Sequence, residues 1–350
     1  MKVEASISYT KIKLIGSGKG MNSKVFLVDD HQFGAYVAAK EIKKSDFPNA
    51  KAYFEETQTM YAVGHANVVP VHYACQTEEM ISIVMPHFDR GSLDTRVQDV
   101  PLRLNEALRV TQDVLAGVAH IHSRGYIHLD IKPSNILFSN KDKAMVADFG
   151  QSREISATGL VTVPKLYNLA MPPETVATQI ATSLSDVYHV GLLMYRCLNG
   201  EKFFNDQTPS NEPELRAKIQ KGKFPDRKKF MPHVPKRLRT LVRKALSVDP
   251  TKRFRTATEM ADALAKVSIF LDWSVESIKL GELRWTAKRP EKSDLVVELT
   301  EDGTKWKVET FTESRGEPRR AKDRAANWRM GLSRDDAYAH LESVFERLQQ

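Results

Sequence analysis

Residues 126–138 read YIHLDIKPSNILF, from Tyr126 to Phe138. Apolar positions here hold four polar groups in fixed register: His128, Asp130, Lys132 and Asn135. A carboxylate within hydrogen-bond reach of a hydroxyl can accept its proton, a role that suits Asp130. An ammonium can neutralise a transferring phosphoryl group, which suits Lys132. A side-chain amide oxygen is a hard ligand for a metal that bridges phosphates, which suits Asn135. A second metal ligand has to come from another segment. The run KAMVADFGQS, residues 143–152, offers Asp148 at a strand end, followed by Phe149 and Gly150.

Upstream of this loop the pattern is short and strand-like. KIKLIGSG and SKVFLVDD read as strands around a glycine turn, and GAYVAAKEIKK as a third. KAYFEETQTMYAVG reads as a helix with Phe54, Met60, Tyr61 and Val63 on one face, and MISIVMPHF as a strand ending at a proline. After Gly91 the signal becomes helical. NEALRVTQDVLAGVAHIHSRG and SDVYHVGLLMYRCLNG each show three- and four-residue apolar spacing and close on glycine. VPKRLRTLVRKALSVDP and TATEMADALAKV continue the helical pattern. From about Leu271 strands return as GELRWTAKR, DLVVELT and TKWKVETFT, with Asp302-Gly303 as a hairpin turn. A closing helix follows, N-capped by Ser333 with Asp336 in the capping-box position. Ala337, Leu341, Val344, Phe345 and Leu348 line one side of it. The expected division is α+β: a small β lobe over 1–88, a helical lobe over 89–268 and a small α+β domain over 269–350.

Length and composition agree with several lobes of ordinary globular character. The chain has 350 residues, 41% of them hydrophobic and 27% charged. Cys75 and Cys197 sit far apart in apolar segments, which argues against a disulfide framework and for a reducing compartment. No apolar run reaches the roughly 18 residues of a membrane span, and the N-terminal stretch has no apolar signal core. The expected location is cytoplasmic, without a membrane association. The net charge of +8 favours acidic partners, phosphorylated ones included, and is too modest to argue for nucleic acid. No His/Cys spacing suggests zinc, and His65, His72 and His87 read as structural.

With these residues in order, the sequence resembles the protein kinase family, in its eukaryotic-like serine/threonine type as found in bacteria. HLDIKPSN is similar to the catalytic loop and Asp148-Phe149-Gly150 to the metal-binding triplet. The resemblance implies a bilobal kinase fold, ATP and Mg2+ as cofactors, and a hydroxyl-bearing or acidic protein as substrate. It implies that Lys40, at the end of VAAK, holds the α- and β-phosphates and pairs with Glu56. Asp130 then acts as base beside Lys132, with the metal on Asn135 and Asp148. Gly16, Gly18 and Gly20 belong to the phosphate loop. Val25, Ala38 and Leu137 pack the adenine, Met85 guards the inner pocket, and the backbone of Pro86 and Phe88 bonds the base. Met60, Val71, His128 and Phe149 match the apolar column that joins the lobes. Glu174, closing Met171-Pro172-Pro173-Glu174, matches the residue paired by an arginine, here Arg253. Asp186 matches the aspartate that braces the catalytic loop. The resemblance covers Tyr9 to about Val267, roughly three quarters of the chain.

The sequence departs from the family pattern at three places. Val25 arrives two residues late after Gly16 and Gly18, Gly20 is out of register, and Asn22 or Ser23 takes the third turn. This implies a longer phosphate lid. Leu129 replaces the arginine that binds an activation-loop phosphate, which implies activity without phosphorylation at Ser152, Ser156, Thr158, Thr162 or Tyr167. Pro86 replaces the usual acidic hinge residue. Lys132 is the serine/threonine-type residue, while the family's substrate-facing threonine aligns near Tyr167, or with Thr162 if the loop is longer. Two rival readings are a small-molecule kinase on a related fold and a catalytically weak scaffold. All four tryptophans, Trp273, Trp285, Trp306 and Trp328, lie in the last eighty residues. They read as that domain's core or its dock on the helical lobe, with partner docking through 271–350 as the sharper alternative. The basic run Arg315–Arg329 reads as a solvated connector because acidic residues interrupt it.

Overall fold

The computed structural model describes residues 6–17, 23–47, 49, 53–163, 171–279, 281–289, 292–314, 317–319 and 325–348. The first unit is an antiparallel sheet in the order β1-β2-β3-β5-β4, with one helix. Its elements are β1 (Tyr9–Ser17), β2 (Lys24–Asp30), β3 (Ala35–Lys43), α1 (Glu55–Ala62), β4 (Tyr73–Gln76) and β5 (Met80–Pro86). In β3 the alternation is overridden, and Val37 through Glu41 are all buried. Its two faces are covered differently: Val37 and Ala39 join Val28 and Val84 in one apolar cluster, and Lys40, on the opposite face, meets Glu56 of α1.

Helix α1 corrects one sequence expectation. Met60 and Val63 are buried, but Tyr61 is 83% exposed. Consecutive helical residues are about 100° apart, so Met60 and Tyr61 cannot share an inward face. The inward set is instead Glu56, Met60 and Val63, and its charged member is explained by the pairing with Lys40.

The helical lobe comprises α2 (Leu93–Val97), α3 (Leu104–Ser123), α4 (Pro173–Thr178), α5 (Ser183–Asn199), α6 (Glu201–Asn205), α7 (Glu212–Gln220), α8 (Lys236–Ala245) and α9 (Ala257–Ala265). Short strands carry its loops: β6 (Tyr126–Ile127), β7 (Ile136–Phe138), β8 (Ala144–Val146), β9 (Arg153–Glu154), β10 (Val161–Thr162) and β11 (Ile180–Ala181). Helix α5 forms the centre, and nearly every residue from Ser185 to Asn199 is buried. Thr182 caps its N-terminus in a capping box with Ser185. Gly191 lets α8 approach closely, since a Cβ there would lie 2.6 Å from the Cβ of Ala245.

The C-terminal region is a sheet in the order β12-β13-β14-β15-β16, with β17 also on β15. Its elements are β12 (Trp273–Lys279), β13 (Glu282–Ala287), β14 (Asp294–Asp302), β15 (Lys305–Ser314), β16 (Glu317–Arg319), β17 (Arg329–Leu332) and α10 (Arg334–Leu348). Asp302 pairs with Lys305, so the hairpin loop is Gly303-Thr304, one residue beyond the expected dipeptide. Gly303 takes φ 64° there. Where described, the Arg315–Arg329 run is strand at both ends and not a bare connector. Ser333 caps α10 through the Asp336 N–H, as the sequence indicates.

Trp273 and Trp285 are fully buried and meet the Phe345 ring at centroid distances of 5.1 and 5.4 Å. Their cluster is continuous with the helical lobe's core. Truncation of such a tryptophan typically costs about 3–5 kcal/mol. The Trp285 indole N–H donates to His233 Nδ1 of the helical lobe at 3.2 Å. The Asn105 N–H donates to Asp272 at 2.9 Å, and Lys236 and Arg239 of α8 pair with Glu346 and Glu342 of α10.

His233 makes this junction sensitive to acid. Burial, with Arg239 adding to it, lowers its pKa from 6.5 to about 3. Between these values the unfolded chain binds the proton that the folded chain refuses. Its contribution is therefore complete above pH 6.5 and is lost as pH falls toward about 3. In urea titrations, His233→Gln should flatten the pH dependence of stability in that window by up to about 1.4 kcal/mol per pH unit.

Candidate active site

Two groups of charged side chains lie on either side of the His128–Phe149 ring contact. In the first, Lys40 lies in β3, opposite Val25 on one side and Ile83 on the other. Its ammonium donates to Glu56 at 2.7 Å and to Asp148 at 2.8 Å. Burial opposes charging of Lys40, but the two carboxylates outweigh it and hold the ammonium above the ordinary lysine range. Burial pushes the Glu56 carboxyl up, against the pull of Lys40. Asp148 is shifted down, because the Lys40 charge and hydrogen bond overcome its own burial.

The second group is the loop between β6 and β7. Lys132 Nζ donates to Asp130 Oδ2 at 2.7 Å. The Asn135 amide donates to the Asp130 carbonyl at 2.8 Å and to its Oδ2 at 2.9 Å. These bonds leave Asn135 Oδ1 as an acceptor. Asp130 and Asn135 are buried, while Lys132 is partly open.

A buried aspartate holds this loop from below. Asp186 is fully buried in the first turn of α5. Its carboxylate accepts from the His128 and Leu129 N–H groups, both at 2.8 Å. His122 sits 2.9 Å from it and His189 3.5 Å. Burial alone would raise this carboxyl, but the His122 hydrogen bond and the nearby His189 imidazole outweigh it and hold it far below the usual range. Sequence reading identified Asp186 but missed its two histidines. The three-residue spacing of Asp186 and His189 on one helix was the available signal for the second.

The two groups are joined by packing. His128 is buried, meets the Phe149 ring at 4.9 Å, and lies 3.2 Å from the Ala147 carbonyl through Nε2. Met60 and Phe149 are buried and Val71 packs against the same core. Leu129 and Asp148 both adopt left-handed backbone, with φ 68° and 66°. Leu129 joins Ile155 against an apolar cluster of Ile127, Val161, Val163 and Ala181. Arg253 clamps Glu174 through two bonds of 2.8 and 2.6 Å, and its side chain is fully buried over the Tyr188 ring.

The remaining expected residues are placed as follows. Gly16 pairs with Val25 across β1 and β2, and Ala38 stands opposite Met85 across β3 and β5. Pro86 ends β5 opposite Val37, and the Phe88 carbonyl accepts from the Gly91 N–H. Leu137 in β7 bridges to Ser92. Gly18, Gly20 and Tyr167 lie outside the described residues. Thr162 is exposed in β10, opposite Ile180. Ser152 is buried, with its hydroxyl toward the His128 carbonyl, and is a poor phosphorylation candidate. His65 stacks on His120 at 4.8 Å and His87 pairs with Asp89 at 2.8 Å.

The chain belongs to the protein kinase family: the protein kinase domain matches residues 9–264. Serine/threonine-protein kinase PrkC of Bacillus subtilis (strain 168) is 27% identical over 301 residues, covering 84% of this chain and 44% of that protein. The probable serine/threonine-protein kinase PknB of Lactococcus lactis subsp. lactis (strain IL1403) is 30% identical over 264 residues, covering 73% and 41%. Serine/threonine-protein kinase PknB of Mycolicibacterium smegmatis is 28% identical over 263 residues, covering 71% and 41%. The chain spans less than half the length of these curated relatives. Among the described residues no helix is long and apolar enough to cross a membrane.

The Arg253–Glu174 clamp gives a stability test. Arg253→Ala would leave a largely buried carboxylate without its partner, which costs about 3–5 kcal/mol. Urea unfolding should register that loss, and Arg253→Lys should recover only part of it, since one ammonium cannot reproduce a two-pronged contact.

Proposed function

We propose that this chain transfers the γ-phosphoryl group of ATP to serine and threonine hydroxyls of proteins. The observation that supports the reading is two charge groups, Lys40 with Glu56 and Asp148, and Asp130 with Lys132 and Asn135, tied by the contact of His128 with Phe149. Lys40 is fixed by Glu56 to bind the α- and β-phosphates. Asp130 accepts the proton of the substrate hydroxyl as it attacks the γ-phosphorus, the bond to the β,γ-bridging oxygen breaks to release ADP, and Lys132 offsets the charge on the transferring group. Asn135 and Asp148 would hold a divalent cation such as Mg2+, because their acceptor oxygens are hard donors. That ion would neutralise charge on the phosphates. Val25, Ala38, Met85 and Leu137 form the adenine pocket, with the backbone of Pro86 and Phe88 as its polar edge. Gly16, Gly18 and Gly20 serve the phosphate lid.

Specificity for serine and threonine rests on Lys132 and on the similarity to serine/threonine-protein kinases. We read the chain as three units, 1–88, 89–268 and 269–350. The last is first of all part of the kinase body, because its tryptophan core runs into the helical lobe. We place the protein in the cytoplasm, in keeping with the two free cysteines, one buried in α5.

In a radiolabel transfer assay with a generic basic protein, Asp130→Ala should lower the rate on the order of 10²–10⁴-fold. An unchanged rate would remove Asp130 from the chemistry, and absent transfer by both proteins would favour the scaffold reading. The apolar setting of Leu129 supports activity without loop phosphorylation. Replacing Ser156 and Thr158 by Ala, Thr162 by Val and Tyr167 by Phe together should therefore leave most of the activity on a separate substrate. Loss of that activity would restore a requirement for phosphorylation.

A further inference from the structure

The chain's positive charge is concentrated in one place. Between Lys221 and Arg255 there are thirteen lysines and arginines against two aspartates, a net of +11. The whole chain carries +8, so the remaining residues sum to −3. This segment forms the base of the helical lobe: the turn after α7, the loop into α8, α8 itself and the connection to α9.

Its cations fall into two sets. One set is internal. Arg253 is spent on Glu174, Lys244 on Glu259, and the Arg227 guanidinium on the Gly222 and Leu246 carbonyls. The other set is exposed. Lys221, Lys223, Lys228 and Lys229 flank the two ends of that Arg227 bracket. Arg243 joins them, its Nε donating to the Arg227 carbonyl at 2.9 Å. Among the described residues none of these five side-chain charges pairs with a carboxylate, although the Lys228 backbone N–H donates to Asp226 at 3.0 Å. A surface with so large an excess of one sign repels itself, and bringing an anion to it relieves that repulsion.

The molecule displays one way of satisfying such a surface. Glu342 and Glu346, four residues apart on α10, sit on Arg239 and Lys236 of α8 at 3.2 and 2.9 Å. An acidic helix thus already covers the N-terminal half of α8. Arg243 stands one turn beyond Arg239 on the same helix, next to the four exposed lysines. The patch also offers no base-stacking platform, because Phe224, Phe230 and Phe254 are all buried.

We infer that the base of the helical lobe is a docking surface for an acidic protein segment, with carboxylates at helical spacing that extend the row begun by Glu342 and Glu346. This inference does not rest on phosphotransfer. Docking there would use residues separate from Lys40, Asp130 and Asp148.

The test is fluorescence anisotropy on the full chain, with a labelled alanine-glutamate helix peptide whose glutamates lie four residues apart. A labelled duplex DNA of equal net charge is the comparison probe. The peptide should bind more tightly than the duplex at equal ionic strength, and salt should weaken it. Reversal of Lys221, Lys223, Lys228 and Lys229 to Glu should lower peptide affinity about tenfold or more. The same reversal at four exposed lysines elsewhere, Lys13, Lys43, Lys266 and Lys305, should change it less than about twofold. Equal losses in both variants, no loss in the first, or tighter binding of the duplex would each overturn the inference. If the first variant melts at a lower temperature, Lys→Gln at the same four positions replaces it, with the same ordering expected.

Discussion

The loop that carries Asp130 depends on one buried carboxylate. Asp186 has no solvent to stabilise its charge, so the structure supplies His122, His189 and two backbone N–H groups instead. Those N–H groups belong to His128 and Leu129, the residues that precede Asp130. Leu129 holds a left-handed conformation that costs about 1–2 kcal/mol for a residue with a side chain. Two hydrogen bonds to a charged acceptor, each worth about 1.5–3 kcal/mol, are enough to hold it there. The turn at Leu129 fixes the start of the loop on which Asp130 lies.

A second constraint works across the lobes. Lys40 comes from a strand, Glu56 from a helix and Asp148 from the loop after β8, and each could be solvated alone. Brought together, one ammonium serves two carboxylates within 2.8 Å. The helix is kept in place by Met60 and Val63, one and two turns beyond Glu56 on the same face. Packing and electrostatics thus set one geometry, and neither would suffice. The contact of His128 with Phe149 ties that geometry to the loop carrying Asp130.

The C-terminal region extends the same logic of shared cores. Its tryptophans close its own sheet and also reach the helical lobe, where His233 accepts the Trp285 N–H. A neutral imidazole buried at that junction couples the attachment to acidity. The acidic side of α10 meets the basic side of α8, which makes the base of the lobe a surface only partly covered. The two buried tryptophans, unlike Trp306 and Trp328, lie at the inward positions of strands β12 and β13.

Much of this was legible in the sequence because the decisive residues are local. Asp130, Lys132 and Asn135 lie within six positions, and a loop that short brings them together in almost any fold. Long helices were legible through their apolar spacing, and the Ser333 cap through its partner three residues on. Short elements such as α4, α6 and β16 were not, because too few residues repeat to display a period. The partnership of His122 with Asp186 spans 64 positions, and no local pattern encodes it. Tyr61 was misplaced because composition alone cannot decide which of two adjacent apolar residues turns inward. The sequence determined which chemical groups were available and in what order. Tertiary structure decided which charges share a cleft, which are buried against a partner and which remain in water, because desolvation and pairing depend on neighbours that are distant along the chain.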